Sequence, residues 1–248
     1  GIRKFSELVA NTPGACGLTI GEPDQNTPES IKDAAKAALD ANMTHYPPGN
    51  GYAWMLQEIA EFEAKQHGLH YAPEEIILTV GGTEGLYIAL ATILNPGDEV
   101  ITFAPYFGEY RSYVGNYDGE LVVVSPNTET FQPNLDEFET KITAKTKAVI
   151  VNSPNNPSGV VYSEATIIKM AEILNKKQEE FGTDIYLISD EPYRELAYDG
   201  VEVPYLTKYY ANTIVGYSFS KSLSLPGERI GYLVIPEEAA DSADLQAA

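Results

Sequence analysis

Apolar, β-branched runs recur along the chain at positions 76–80, 100–103, 121–124, 148–151, 185–189, 214–219 and 231–235. They read as strands buried on both faces. Stretches with helical spacing separate several of them, at 84–94, 106 to about 116, 134–140 and 163–181. That alternation predicts an α/β fold, a mainly parallel seven-stranded sheet sandwiched by helices. Upstream, Thr27-Pro28 offers an N-cap followed by proline at the first helical position, predicting a helix to about Ala41, and a second helix is expected over about 52–66. Pro47-Pro48-Gly49-Asn50-Gly51, Asn95-Pro96-Gly97-Asp98 and the run from Pro154 to Gly159 punctuate these elements as loops. No internal repeat or low-complexity linker is visible. The expected division is an N-terminal arm and first helix over 1–45, a large sheet domain over 46–236, and the start of a linker over 237–248.

Composition narrows the partners. At 248 residues and 44% hydrophobic, the chain can bury a sizeable core. Sixteen basic against 36 acidic residues give a net charge of −20, which opposes nucleic acid and anionic membrane and leaves small molecules as the expected partners. Cys16 is the only cysteine, no stretch approaches the ~18 apolar residues of a membrane span, and the start lacks a signal-peptide pattern. A cytoplasmic location is therefore expected. The chain starts at Gly1, and the acidic, alanine-rich run 237–248 reads as a cut helix, so a fragment of a longer protein is expected.

Ligands of an open parallel sheet lie beyond the carboxyl ends of its strands, so the residues there carry most information. Tyr217-Ser218-Phe219-Ser220-Lys221-Ser222 closes an apolar run with one lysine among hydroxyl residues, and Arg229 follows eight positions later. An imine-forming lysine needs a rigid, partly desolvated seat, and a nearby guanidinium suits a phosphate. Alone, Lys221 reads as a solvated charge at a strand end, and only the further positions around it favour the imine-forming role. Gly81-Gly82-Thr83-Glu84-Gly85 lets backbone N–H groups and a helix N-terminus approach an anion, or is simply a turn. Asn152-Ser153-Pro154-Asn155-Asn156-Pro157 could hold Asn156 in one orientation as a donor, or be only a turn. Asp190, heading Asp190-Glu191-Pro192-Tyr193, either caps the next segment or needs a cationic partner at the end of a buried strand. Tyr106 and Phe107 offer an aromatic face for a flat heterocycle, or belong to the core.

In this order, and on separate strand ends, these features resemble the class I/II pyridoxal-phosphate-dependent aminotransferases of fold type I. The likeness runs from Leu18-Thr19-Ile20-Gly21-Glu22-Pro23-Asp24 to Arg229-Ile230-Gly231-Tyr232, and the opening segments look most like the branch holding aspartate, aromatic and N-acetyl-diaminopimelate aminotransferases. The resemblance implies pyridoxal 5'-phosphate as cofactor, with Lys221 forming the covalent imine and later shuttling a proton. It implies that Asp190 pairs with the ring nitrogen, that Asn156 and Tyr193 bond the phenolic oxygen, and that Phe107 stacks on the ring. Thr83, the Gly82 and Glu84 backbone, Ser218 and Arg229 are implied to hold the phosphate, with Tyr46 reaching the phosphate of the neighbouring subunit of a homodimer. Gly21, with Asn156, is implied near the substrate. The implied reaction moves an amino group between an L-α-amino acid and a 2-oxo acid.

Two departures stand out. Many relatives carry Thr-Gly-Trp before the arginine, whereas Leu225-Pro226-Gly227-Glu228 precedes Arg229 here. The family's carboxylate-clamping arginine belongs to a small carboxy-terminal domain expected to follow residue 248, and Arg3, Arg111 and Arg194 match no such position. A β-lyase, decarboxylase or racemase would use the same Lys221 and Asp190, and a non-catalytic effector-binding module built on the same scaffold is a further alternative. No G-x-G-x-x-G, P-loop or G-x-S-x-G occurs, and His45, His67, His70 and Cys16 offer no metal-ligand spacing.

Overall fold

The computed structural model describes residues 2–248; Gly1 and the side chains of Ile2 and Arg3 lie outside the described residues. Helices α1 (Ile2–Ala10), α2 (Glu29–Asp40) and α3 (Ala53–His67) precede the sheet. The chain then alternates through β1 (Ile76–Thr79), α4 (Gly81–Ile93), β2 (Glu99–Phe103), α5 (Tyr110–Gly115), β3 (Glu120–Val124), α6 (Leu135–Lys141), β4 (Thr146–Asn152), α7 (Glu164–Phe181), β5 (Tyr186–Asp190) and β6 (Thr213–Ser218). The short α8 (Phe219–Ser222), β7 (Gly231–Val234) and α9 (Ser242–Ala247) follow. All seven strands form one sheet in the order β1-β7-β6-β5-β4-β2-β3. β7 runs antiparallel to both neighbours, and every other pairing is parallel.

The central strands are buried on both faces, as their uniform apolar runs require. Successive residues of β4 serve opposite layers: Val149 and Val151 pack with Phe138, Ile167, Met170 and Leu174 of α6 and α7, while Ala148 and Ile150 pack with Leu86, Leu90 and Val114 of α4 and α5. Each fully buried side chain of this size contributes roughly 1.5–3 kcal/mol from the area it removes from water. A third cluster joins Leu56, Ile59 and Ala60 of α3 to Ile76, Val215, Tyr217, Tyr232 and Val234. α7 has clear local limits: Ser163 accepts the Thr166 N–H at its start, and Gly182 closes it at φ +66°.

Several boundaries depart from the sequence expectation. Thr27 does not cap α2; its hydroxyl donates 2.6 Å to the Ser224 carbonyl in a distant loop, and the helix opens at Glu29 behind Pro28. α5 begins at Tyr110 rather than near 106, because the chain is irregular through Phe107 and then makes a turn closed by the Tyr110 N–H on the Phe107 carbonyl. α4 starts earlier, at the glycine pair itself. The run expected as one strand over 214–219 divides, so Lys221 lies on the one-turn helix α8 rather than on a strand end. Asp190 is the last residue of β5 rather than the first after it.

Candidate active site at the carboxyl ends of the strands

β1 ends in the glycine turn that opens α4. Gly81 has φ +73°, and a Cβ there would lie 2.6 Å from Nη2 of Arg229, so only glycine lets the guanidinium rest against the turn. Gly231 is closed in similarly, since its Cβ would meet the Tyr217 carbonyl at 2.5 Å and the Gly82 nitrogen at 3.1 Å. Ser218 packs beside Gly82, and its hydroxyl donates to Ser220 Oγ at 2.8 Å. Arg229, at φ +57°, donates to the Pro226 carbonyl at 3.0 Å. The Glu84 carboxylate turns back to accept the Val80 N–H, leaving its own backbone in the first turn of α4. Helix N-terminus, hydroxyls and guanidinium thus converge in a setting suited to an anion with several acceptor oxygens.

Aromatic side chains from α5 and the turn before it line the next part of the site. Phe107 meets Tyr110 and Tyr113 edge-on, at 5.7 and 6.5 Å between centroids. Tyr113 donates to Thr83 Oγ1 at 3.3 Å, and Tyr110 donates to Asp190 Oδ2. Neither tyrosine was singled out in the sequence, although spacings of three residues from Phe107 to Tyr110 to Tyr113 mark one helical face.

Asp190 is buried, and its pKa rises to about 6 because desolvation disfavours the carboxylate; the Tyr110 bond works against that rise, while nearby Glu191 adds to it. Asn152, also missed in the sequence, ties two strand ends together: its amide donates to the Asp190 carbonyl at 2.8 Å and its Oδ1 accepts the Asn156 N–H at 2.6 Å. Asn156 in turn donates from Nδ2 to the Tyr193 hydroxyl at 3.2 Å. Burial raises the Tyr193 pKa, with the Asp190 charge adding to the effect.

Lys221 Nζ donates to the Gly21 carbonyl and lies 6.0 Å from the centre of the Tyr193 ring. Its pKa is lowered, first by burial and also by the Arg229 charge, while Glu22 opposes the shift. The structure therefore brings Lys221, Gly21, Tyr193, Asn156, Asp190 and, through Tyr110 and Tyr113, Phe107 and Thr83 into one connected arrangement. The glycine turn, Ser218 and Arg229 form its adjoining anion cradle. Tyr46 stands apart, fully exposed to solvent.

Arg194 has a role the sequence did not reveal. It is buried between Glu191, at 2.8 and 2.5 Å, and Glu63 of α3, at 2.8 and 2.9 Å. Among the described residues no cluster of three or more His, Cys, Asp or Glu side chains could hold a metal, and no helix is long and apolar enough to cross a membrane.

The sequence profile of the family "Aminotransferase class I and II" matches residues 14–248. A probable N-acetyl-LL-diaminopimelate aminotransferase of Bacillus subtilis is 38% identical across 97% of this chain and 60% of its own length. Among solved structures, an amino transferase from Eubacterium rectale superposes with a TM-score of 0.93 at 42% identity, covering 99% of this chain and 64% of that one. The aspartate aminotransferase of Thermus thermophilus with maleate gives 0.84 at 37% identity, covering 93% and 58%. The chain thus spans about 60% of the length of the curated relatives it matches.

Proposed function

The chain belongs to the class I and II aminotransferase family, and from that premise we propose that it forms the cofactor-binding part of an enzyme that moves an amino group between an L-α-amino acid and a 2-oxo acid. The observation that carries the reading is the meeting of a partly desolvated amine, a buried carboxylate and an anion cradle at the ends of neighbouring strands. Asp190 supplies the fit: a buried carboxylate whose bond from neutral Tyr110 does not prevent its pKa from rising is suited to a cationic partner, as a protonated ring nitrogen is. Bound here, pyridoxal 5'-phosphate supplies an aldehyde for an amine and a ring that accepts electrons.

In this reading Lys221 is both the covalent attachment point and the group that holds a proton once released. Its lowered pKa leaves more neutral amine at neutral pH than an exposed lysine has. Asp190 keeps the ring nitrogen protonated. Asn156 and Tyr193 present donors to the cofactor's phenolic oxygen, and Phe107 presents its ring. Thr83, the Gly82 and Glu84 N–H groups, Ser218 and Arg229 hold the phosphate, and Gly21 lies at the substrate carboxylate. Resemblance to the family supports a homodimer in which Tyr46 completes the neighbouring subunit's phosphate site, and the single cysteine is compatible with the cytoplasm. Residues 46–236 carry the cofactor groups, and 237–248 begin a linker. The test is to incubate the full-length protein with pyridoxal phosphate, a panel of amino donors and a 2-oxo acid, following oxo-acid and ammonia release. Oxo acid formed without ammonia supports transamination, whereas ammonia with pyruvate overturns it in favour of a lyase.

A further inference from the structure

Most residues of a second polar network neighbour a residue of the proposed site, Glu63 of α3 and Glu195 being the exceptions. Ser189 and Glu191 flank Asp190, Arg194 follows Tyr193, Tyr217 precedes Ser218, Ser222 follows Lys221, and Tyr232 follows Gly231. Consecutive strand residues face opposite sides of the sheet, so where β5, β6 and β7 present site residues on one side they present network residues on the other. On that side Glu63, Arg194 and Glu191 are at most 4% exposed. The Ser189 hydroxyl donates to Glu191 at 2.5 Å and Tyr232 donates to Glu63, so both carboxylates have donors besides Arg194.

From this ion cluster a continuous path leads to the amine. The Arg194 guanidinium lies 4.9 Å from the centre of the Tyr217 ring, and Tyr232 packs on the same ring at 4.9 Å. The Tyr217 hydroxyl is 2.8 Å from both Glu195 Oε1 and Ser222 Oγ. Ser222 is the last residue of α8, a helix of one turn that carries Lys221. So short a helix has little stability of its own, and its direction depends on such anchors.

We propose that Glu63, Arg194 and Glu191, acting through Tyr217 and Ser222, are positioning residues that fix α8 so that the Lys221 amine stays in its partly desolvated seat. The inference rests on the reading of Lys221 as the reactive amine of the site. A buried ion cluster need not add stability, because desolvation offsets most of its attraction; its contribution here is orientation.

The experiment uses full-length protein treated with hydroxylamine and dialysed, so that the lysines are free. Trace acetic anhydride labelling from pH 6 to 11, with peptide mass mapping, gives the apparent pKa of each amine. In the parent protein Lys221 should titrate below the ordinary lysine range. If it titrates within that range, the reading of Lys221 fails and the inference falls with it. Tyr217→Phe keeps the ring and its packing and removes only the hydroxyl. It should raise the Lys221 pKa by about half a unit or more, lowering its labelling at pH 8 by about threefold, while other lysines and the far-ultraviolet spectrum stay unchanged. Arg194→Lys keeps the charge but loses the planar fork and should shift Lys221 in the same direction. A Lys221 profile that coincides with the parent's in folded Tyr217→Phe overturns the proposal, even if Arg194→Lys fails to fold.

Discussion

Tyr110 donates its hydroxyl to Asp190 Oδ2 at 2.5 Å, joining a residue of α5 to the last residue of β5 in the interior of the site. Both groups are shifted by the same burial: Asp190 rises to about 6, and Tyr110 moves well above its ordinary value because an anion beside a buried carboxylate is doubly disfavoured. Tyr110 therefore remains a donor throughout the physiological range, and its bond favours the ionised form of Asp190 against the desolvation that opposes it. The bond is a control on the charge that the site presents.

Replacing the donor should weaken that control. In Tyr110→Phe the ring still fills its place, but the ionised carboxylate loses a charge-assisted bond worth about 1.5–3 kcal/mol, so its pKa should rise by roughly one to two units. Carbon-13 NMR of aspartate-labelled cofactor-free protein follows this titration directly. A pKa that is unchanged or lower would show that Tyr110 does not govern Asp190.

Lys221 should be the residue that captures the cofactor's aldehyde. Borohydride reduction of protein loaded with pyridoxal phosphate, followed by peptide mass mapping, should place the pyridoxyl adduct on Lys221. Adduct found chiefly on another lysine would reject the assignment.

Much of this architecture was legible in the sequence because the central strands are buried on both faces and their apolar runs are bounded by turn residues. The glycines at 81 and 231 stood out in the sequence because a Cβ at either would collide, with the Arg229 guanidinium and the Tyr217 carbonyl respectively, and such close approaches leave glycine at fixed places. Tyr110 and Asn152 were not legible as parts of the site: their bonds to Asp190 cross 80 and 38 residues, and no local spacing encodes that distance. Arg194 did not match the family's carboxylate-clamping arginine, and its place is explained by Glu63 of α3, 131 residues away in the chain. Thr27 shows the converse, where a sound local capping signal yields to a long-range bond with Ser224.

The contact between Gly81 and Arg229 can be separated from simple backbone strain. Gly81 and Gly97 both have positive φ, but a Cβ on Gly97 meets nothing within 4 Å, whereas one on Gly81 meets the guanidinium. Gly97→Ala should cost only the strain of its conformation, on the order of 1–3 kcal/mol. Gly81→Ala should add displacement of Arg229, and so should weaken pyridoxal-phosphate retention in gel filtration while Gly97→Ala does not. Equal retention by the two variants would show that Arg229 is not held by that turn.

Asp190 should cost the cofactor-free protein stability, and the cost has a definite pH window. Its folded pKa of about 6 lies above the 3.8 of an ordinary aspartate, so between these values the folded state binds more protons than the unfolded state. Stability from this group is therefore highest below about pH 4, falls as pH rises through about 6, and is constant above that. A shift of about two units corresponds to roughly 3 kcal/mol when complete. Asp190→Asn keeps the shape and removes the ionisation, so the cofactor-free variant should resist urea better than the parent at pH 7.5, with the advantage shrinking as pH falls towards 4.5. The same variant of the full-length protein should lose transamination, since an amide cannot keep a ring nitrogen protonated. Greater stability with lost turnover would identify Asp190 as a charge retained for chemistry at the expense of the fold; a variant less stable than the parent at pH 7.5 would show instead that the carboxylate is satisfied by its surroundings.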